Sequence, residues 1–376
     1  LINLNFTEVF GTDNLFGEDT SNPLMWLIWI VPIVIFMFYG QRIQLQITSG
    51  EIAKNIEKLK KYKEDSKTEL INYLQKNLKV GNDVSKKVDA FLEYFAIMPV
   101  DIDPNGIVPK IKHLLRSKEN YTRLQVKSLS STMNHLEQSK VQNMLEVVTA
   151  LNMLHKIVRH LYLTAKKQNN FPLILPLQMM MPFIMEQSAA LRDAMSALRQ
   201  GQPIGDGIGP MVVGKMMLNT QKKTVALETV YGQTEFEQRH LYLLKAEGPA
   251  ATVGRPGDAV ETLVAEKPPN IIIMVDAALK MEGEDSGSVA QGFGAAIGGI
   301  GTDRFQIEEI ATKNNIPIYA LVIKQSVKEA ITLMTKEIAD KADQVESQIR
   351  QIILENTTPG QTVLVVGVGN TLGVPQ

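Results

Sequence analysis

The chain has 376 residues, 44% of them hydrophobic and 21% charged, with a formal net charge of −1. That length and balance allow two domains with their own cores and exclude a disordered chain, while the near-neutral charge leaves no electrostatic footprint for nucleic acid. There are no cysteines, which rules out disulfides, thiolate metal sites and cysteine nucleophiles.

Residues 1–22 carry Glu8, Asp13, Glu18 and Asp19 and no lysine or arginine. The uncharged run PLMWLIWIVPIVIFMFYG, Pro23 to Gly40, follows. As a helix it would span roughly 27 Å, close to the hydrocarbon thickness of a bilayer. Trp26, Trp29 and Tyr39 suit the two interfaces. Arg42, Lys54, Lys58, Lys60, Lys61 and Lys63 come after the run. The charge asymmetry predicts a transmembrane helix at 23–40 in contact with membrane lipid, a short extracytoplasmic N-terminus at 1–22, and a cytoplasmic remainder: a single-pass protein of the cell membrane. A cleaved signal peptide would have a positive n-region, which is missing.

Residues 41–200 read as a helical region. Ile52, Ile56, Leu59, Leu70 and Tyr73 keep a seam that Lys63 and Ser66 interrupt, so an amphipathic helix is favoured over a coiled-coil stalk. Val84, Val88, Phe91, Leu92 and Phe95 line the next helix, with Asp83 placed to cap it. Val100 to Gly106 is a turn; Asp101 and Asp103 lack the downstream glutamate of a calcium loop. Two or three helices are expected over 107–167. Phe171 to Met185, FPLILPLQMMMPFIM, holds three prolines that should break it. Burial is its default reading; an in-plane membrane segment and a methionine-rich partner surface are the alternatives.

From residue 201 to 376 the pattern becomes α/β. Strands are expected at Thr224–Val230, Arg239–Lys245, Ile271–Val275, Ile318–Ile323 and Thr362–Val366, with helices near Gly257–Ala265, Asp303–Lys313 and Gln325–Leu354. Continuous apolar runs such as IIIMV and VLVV fit strands buried on both faces. The expected architecture is a three-layer α/β sandwich with a mostly parallel sheet, of the phosphorylase/hydrolase-like kind. Ligands in such folds sit beyond the carboxyl ends of the strands, where Asp276 and the turn Gly367–Asn370 fall. The loop Gly292 to Gly301, GFGAAIGGIG, lets backbone approach a ligand. It has neither a following Walker lysine nor dinucleotide-fingerprint spacing, which leaves a nucleotide-binding regulator as the third functional reading.

The C-terminal VLVVGVGNTLG resembles the first strand and turn of the hydrogenase maturation proteases and the spore germination protease, in which a strand enters a Gly-x-Gly-Asn turn and an acidic residue follows before a small-residue turn that opens a helix. Here the second half, GDGIGPMVVGKMM from Gly205 to Met217, stands before the sheet, as in a circular permutation. IIIMVDAAL resembles the strand bearing the families' second acidic residue, and Gly294 to Ala330 resembles the germination-protease segment that follows. The resemblance implies Asp206 and Asp276 as catalytic carboxylates. It puts Gly207, Gly298, Gly299, Gly301, Gly367, Gly369 and Asn370 around the substrate. The maturation proteases' metal-ligating histidine has no match. No cofactor or metal ligand is therefore assigned, with a divalent metal at Asp206 and Asp276 left as an open alternative. The whole chain also resembles an archaeal membrane-anchored family, domain of unknown function fifteen-twelve, which implies no activity.

Two carboxylates about 3 Å apart cannot both ionise easily, so one keeps a proton and the other can activate water. That makes an Asp-dependent peptidase-like hydrolase one reading, with a protein or peptide substrate. A non-enzymatic membrane-tethered scaffold or peptide-binding protein is the other, and a homo-oligomer is compatible with both.

Overall fold

A computed structural model describes residues 23–81, 83–99, 106–130, 133–168, 171–299 and 301–375. The segment 1–22, most of the turn 100–106, and the side chains of Trp26, Trp29 and Tyr39 lie outside the described residues. The first five helices are α1 (Pro23–Lys76), α2 (Val84–Leu92), α3 (Ile107–Leu129), α4 (His135–Lys167) and α5 (Phe171–Gln200). The chain divides into two compact units, one made of residues up to Ile56 with Val158–Met181, the other of Glu57–Ile157 with Pro182–Gln376.

The apolar run 23–40 is the opening of α1, a single helix of 54 residues that continues through charged sequence with Pro32 in its interior. Among the described residues no helix is long and apolar enough to cross a membrane. The expected transmembrane helix at 23–40 and the single-pass membrane localisation are therefore corrected: the run is not a segment with its own ends but one part of a longer helix that runs on through charged sequence. In the first unit Ile52, Ile56, Val158, Ile174, Leu177 and Met181 are buried, and the Ser49 and Tyr162 hydroxyls lie 3.1 Å apart in a hydrogen bond. The prolines expected to break 171–185 do not; α5 is continuous. Pro172 falls in its first turn, where an amide has no intrahelical partner to lose. Only one face of this stretch is buried, since Leu175, Met179 and Met180 are exposed.

In the second unit the helices and the α/β part share a core. Leu70 and Leu74 of α1, Val88 of α2, Met144 and Leu151 of α4 and Met195 of α5 pack in one cluster with Ala251 and Leu372. The remaining helices are α6 (Ile208–Met216), α7 (Pro256–Glu266), α8 (Thr302–Lys313), α9 (Val327–Ile331), α10 (Lys336–Ala339) and α11 (Lys341–Asn356). The strands are β1 (Lys223–Ala226), β2 (Thr229–Phe236), β3 (Arg239–Ala246), β4 (Ile271–Leu279), β5 (Val289–Phe293), β6 (Ile318–Gln325) and β7 (Thr362–Gly367). They form one sheet in the order β1-β2-β3-β7-β4-β6-β5.

Strands β3, β7, β4 and β6 are mutually parallel. The pairings of β1 with β2, β2 with β3, and β5 with β6 are antiparallel, so the sheet is mixed and not mostly parallel. The single strand expected at 224–230 is a hairpin that turns at Leu227–Glu228, with Glu228 at φ +51°. The next hairpin turns on Glu237 and Gln238, both at positive φ, the conformation that a two-residue hairpin needs to match strand twist. The long helix expected at 325–354 is three helices, the first two opened by hydroxyl caps and the third at Asp340 without a side-chain cap. Ser326 forms a capping box with Glu329, and Thr335 accepts from the Ile338 amide.

Period-two alternation separates the two faces of the sheet. Ile271, Ile273 and Val275 pack with Val212 of α6 and Ile349 of α11. Ile272 and Met274 pack with Val260 and Leu263 of α7 and Ile307 of α8. Helices thus pack on both faces of the mixed sheet.

Strand β7 pairs with β4 as far as Gly367 opposite Val275, and its last bond runs from the Val368 amide to the Val275 carbonyl, 2.8 Å. Strand β4 continues to Leu279 alongside β6. Asp276 thus stands where the neighbouring strand stops, and not, as expected, where its own strand stops. The first turn of α6 and the 3-10 turn before it pack directly on this point. A Cβ on Gly209 would lie 2.3 Å from the Val368 carbonyl oxygen and 2.5 Å from that of Val275. One on Gly369, at φ +133°, would lie 1.9 Å from the Asp206 carbonyl oxygen. Gly209→Ala is expected to lose about 2–4 kcal/mol of stability by denaturant unfolding, whereas Gly292→Ala, with nothing within 4 Å of its Cβ, should lose under about 1 kcal/mol. Equal losses would mean that backbone contact at Gly209 is not what fixes this corner.

Candidate functional site

Asp276 is the next residue after Met274 on the α7/α8 face of β4, and it is 5% exposed. Its Oδ1 accepts from the Ala277 amide at 2.7 Å and its Oδ2 from the Gly298 amide at 3.2 Å. Asp206 arrives from the other side of the sheet, on the 3-10 turn Gly205–Gly207 that precedes α6. That turn is pinned from below: Gln325, fully buried at the end of β6, donates to the Gly205 carbonyl at 3.0 Å. The Oδ2 of Asp206 accepts from the Asn370 amide at 2.7 Å.

Both carboxylates line one cavity of about 320 Å³, together with Gly298, Gly299, Gly301 and Gly369. Of the other residues expected around the substrate, Asn370 lines an adjoining cavity of about 300 Å³. Gly207 and Gly367 line neither; they are buried against Asn370 and Val213, where they permit the close packing.

Burial pushes the Asp206 carboxyl up from its ordinary range, against the opposing hydrogen bond from Asn370. Asp276 is pushed well up, first by burial and second by the charge of Asp206, with the Ala277 and Gly298 amides opposing. Two acids in one desolvated place disfavour the charged form of both, and of Asp276 the more strongly. Among the described residues no group of three or more His, Asp or Glu side chains could hold a metal ion.

Sequence reading missed one wall of the site. Leu115 of α3 lines both cavities, as do Val253, Gly254, Thr302 and Asp303. Lys112, Arg116, Glu119 and Arg123 of the same helix line the second. Their spacing of three or four residues places them on one helix face, a stripe that was visible in the sequence without any sign of what it faced. Asn143 of α4 joins in: its Oδ1 accepts from Asn370 Nδ2 at 3.2 Å, and its Nδ2 donates to the Ala251 carbonyl at 2.9 Å.

Fold and site define a three-layer α/β protein with a paired-carboxylate cleft at the carboxyl ends of adjacent parallel strands, walled on one side by a helix from the N-terminal half. The chain belongs to the DUF1512 family: residues 26–201 match its N-terminal domain (Protein of unknown function) and residues 204–375 match its C-terminal domain (Domain of unknown function). No curated protein matches the chain.

The raised Asp276 carboxyl has a consequence for stability. A carboxyl raised by folding contributes stability at acid pH that is lost as pH rises through its folded value. Asp276→Asn, which mimics the protonated form, should therefore melt progressively higher than the wild type as pH is raised from 4 to 8, with the two converging at the acid end. Thermal melts across that range check this; a gap that stays constant or narrows would contradict the protonated state.

Proposed function

We propose that the cleft hydrolyses amide bonds, with Asp206 as general base and Asp276 as general acid. What carries the reading is the convergence of two carboxylates from opposite faces of the sheet on one cavity, in surroundings that raise the proton affinity of both and of Asp276 the more strongly. Asp206 takes a proton from water as its oxygen bonds to the scissile carbonyl carbon. Asp276 polarises the carbonyl oxygen with its proton, and as the C–N bond breaks Asp276 gives that proton to the leaving nitrogen and takes up the one held by Asp206. The products are a carboxylic acid and an amine, and the proton taken by Asp206 restores the starting pair. The permuted-protease reading is supported by β7 and its GVGN turn lying beside β4, with the GDGIG turn packed on both.

One observation favours a second reading, a non-enzymatic peptide-binding protein. The Gly298 and Asn370 amides, which an oxyanion would need, already donate to Asp276 and Asp206.

A mixed-sequence peptide library incubated with the full chain and read by mass spectrometry separates the two. The hydrolase reading expects cleavage that falls about 10²–10⁴-fold in both Asp206→Asn and Asp276→Asn. Binding without cleavage, or cleavage that survives both substitutions, would leave the binding-protein reading.

A further inference from the structure

The charged cavity beside the carboxylates has a donor surplus. Three acids in and behind its wall are already paired with its cations. Glu119 takes Arg123 on Oε1 at 3.1 Å and Arg255 on Oε2 at 2.6 Å. Glu228 takes Arg123 on Oε1 at 3.0 Å and the Thr252 hydroxyl on Oε2 at 2.6 Å. Asp258, behind the wall, takes Lys112 on Oδ1 at 2.8 Å and Arg116 on Oδ2. The donors are not spent. A guanidinium has five N–H groups, and Arg116, Arg123 and Arg255 each reach these acids through Nη2 alone. The Nε of Arg116 is buried and meets no acceptor among the described residues.

Charge over the whole cavity is near balance, with Lys112, Arg116, Arg123 and Arg255 against Glu119, Glu146, Glu228 and Asp303, so the local pairing decides. Asp258 faces two cations, so the Lys112–Arg116–Asp258 cluster keeps one positive charge over. The other two acids of the cavity, Glu146 and Asp303, accept from Gln142 Nε2 and from the Gly257 amide. Their presence limits the anion to a single carboxylate and disfavours a polyphosphate. Among the described residues no aromatic side chain lines either cavity, so nothing there stacks a nucleobase or a sugar ring.

We propose that this cavity is the specificity subsite of the cleft and binds a carboxylate of a peptide substrate through Arg116 and Lys112. The inference rests on the amide-hydrolase reading for its substrate class, while the subsite itself is tested by binding. A carboxylate placed there meets the N–H groups of Arg116 that Asp258 leaves over and the one N–H that Lys112 keeps beside Asp258 and Gln306, and arginine is suited to such a planar group. Because Leu115, Gly254, Thr302 and Asp303 border both cavities, a peptide held by its carboxylate in one has its backbone led toward Asp206 and Asp276 in the other.

The test uses the full chain and fluorescein-labelled hexapeptide pools read by anisotropy. One pool carries an internal glutamate and an amidated end, one glutamine and an amidated end, one lysine and an amidated end, and one glutamine and a free terminal carboxylate. The glutamate pool, the free-carboxylate pool or both should bind about tenfold more tightly than the glutamine-amide pool; which of them does so tells a side-chain carboxylate from a chain end. Arg116→Gln should erase the preference and Arg116→Lys should keep part of it. Arg116 also ties α3 to Asp258, so each variant is first melted; if Arg116→Gln does not fold, Lys112→Gln carries the same expectation. Equal binding of all pools, tightest binding of the lysine pool, no binding of any, or a preference unchanged in the folded variant would overturn the subsite. The two readings fail separately: a carboxylate preference retained in Asp276→Asn with no cleavage by wild type removes the hydrolase and keeps the subsite, whereas cleavage without carboxylate preference does the reverse.

Discussion

Backbone lying directly on backbone is the constraint from which the rest of this molecule follows. The first turn of α6, with the 3-10 turn before it, and the turn after β7 approach so closely that Gly209 and Gly369 have carbonyl oxygens where a Cβ would be. That contact brings the Asn370 amide within 2.7 Å of Asp206. It also lets the next two residues reach other parts of the fold. The Thr371 hydroxyl lies within hydrogen-bonding distance of the Ala250 carbonyl, and Leu372 is buried in the helical core. Four consecutive positions, 369 to 372, thus join the sheet, the acidic turn and the helices. No side-chain interaction could substitute, because any side chain at the glycines would separate the layers it was meant to hold.

That closeness also creates the electrostatics. Where β7 stops, β4 loses one neighbour but keeps the other, and the carboxyl of Asp276 is left in a gap with little water and a second acid nearby. Desolvation and like charge both oppose its ionisation, and two backbone amides only partly offset them. A group kept in its less soluble form by its surroundings is a cost that the large apolar core on both sheet faces can absorb, and such local conflicts tend to concentrate at working sites. Helix α3 completes the enclosure from outside the sandwich, so neither half of the chain builds the cleft alone.

Much of this was legible in the amino-acid order, for identifiable reasons. IIIMV and VLVV have no polar face, which marked them as central strands, and that is where β4 and β7 lie. The hairpins were harder: Glu237 and Gln238 adopt positive φ without the glycine or asparagine that would announce it, so the antiparallel half of the sheet was invisible. Strand β5 hid in what reads as the start of a glycine loop. The run 23–40 has the composition of a membrane span, but composition within a window says nothing about a helix that continues past it. The pairing of Asp206 with Asp276 came from resemblance alone, since no local spacing relates residues so far apart. The charged face of α3 could be seen as a stripe, while its target is a product of tertiary packing.

Strand β7 occupies the centre of the sheet, between β3 and β4, yet follows every other strand in chain order. During synthesis, then, β3 and β4 each present an open apolar edge until this segment arrives. These pairings between distant residues close late and slowly, and unpaired edges of this kind invite association with other chains. The same few residues that finish the cleft also finish the core. A chain that has not placed them both lacks the cleft and is adhesive, so completion of the cleft and escape from aggregation are one event.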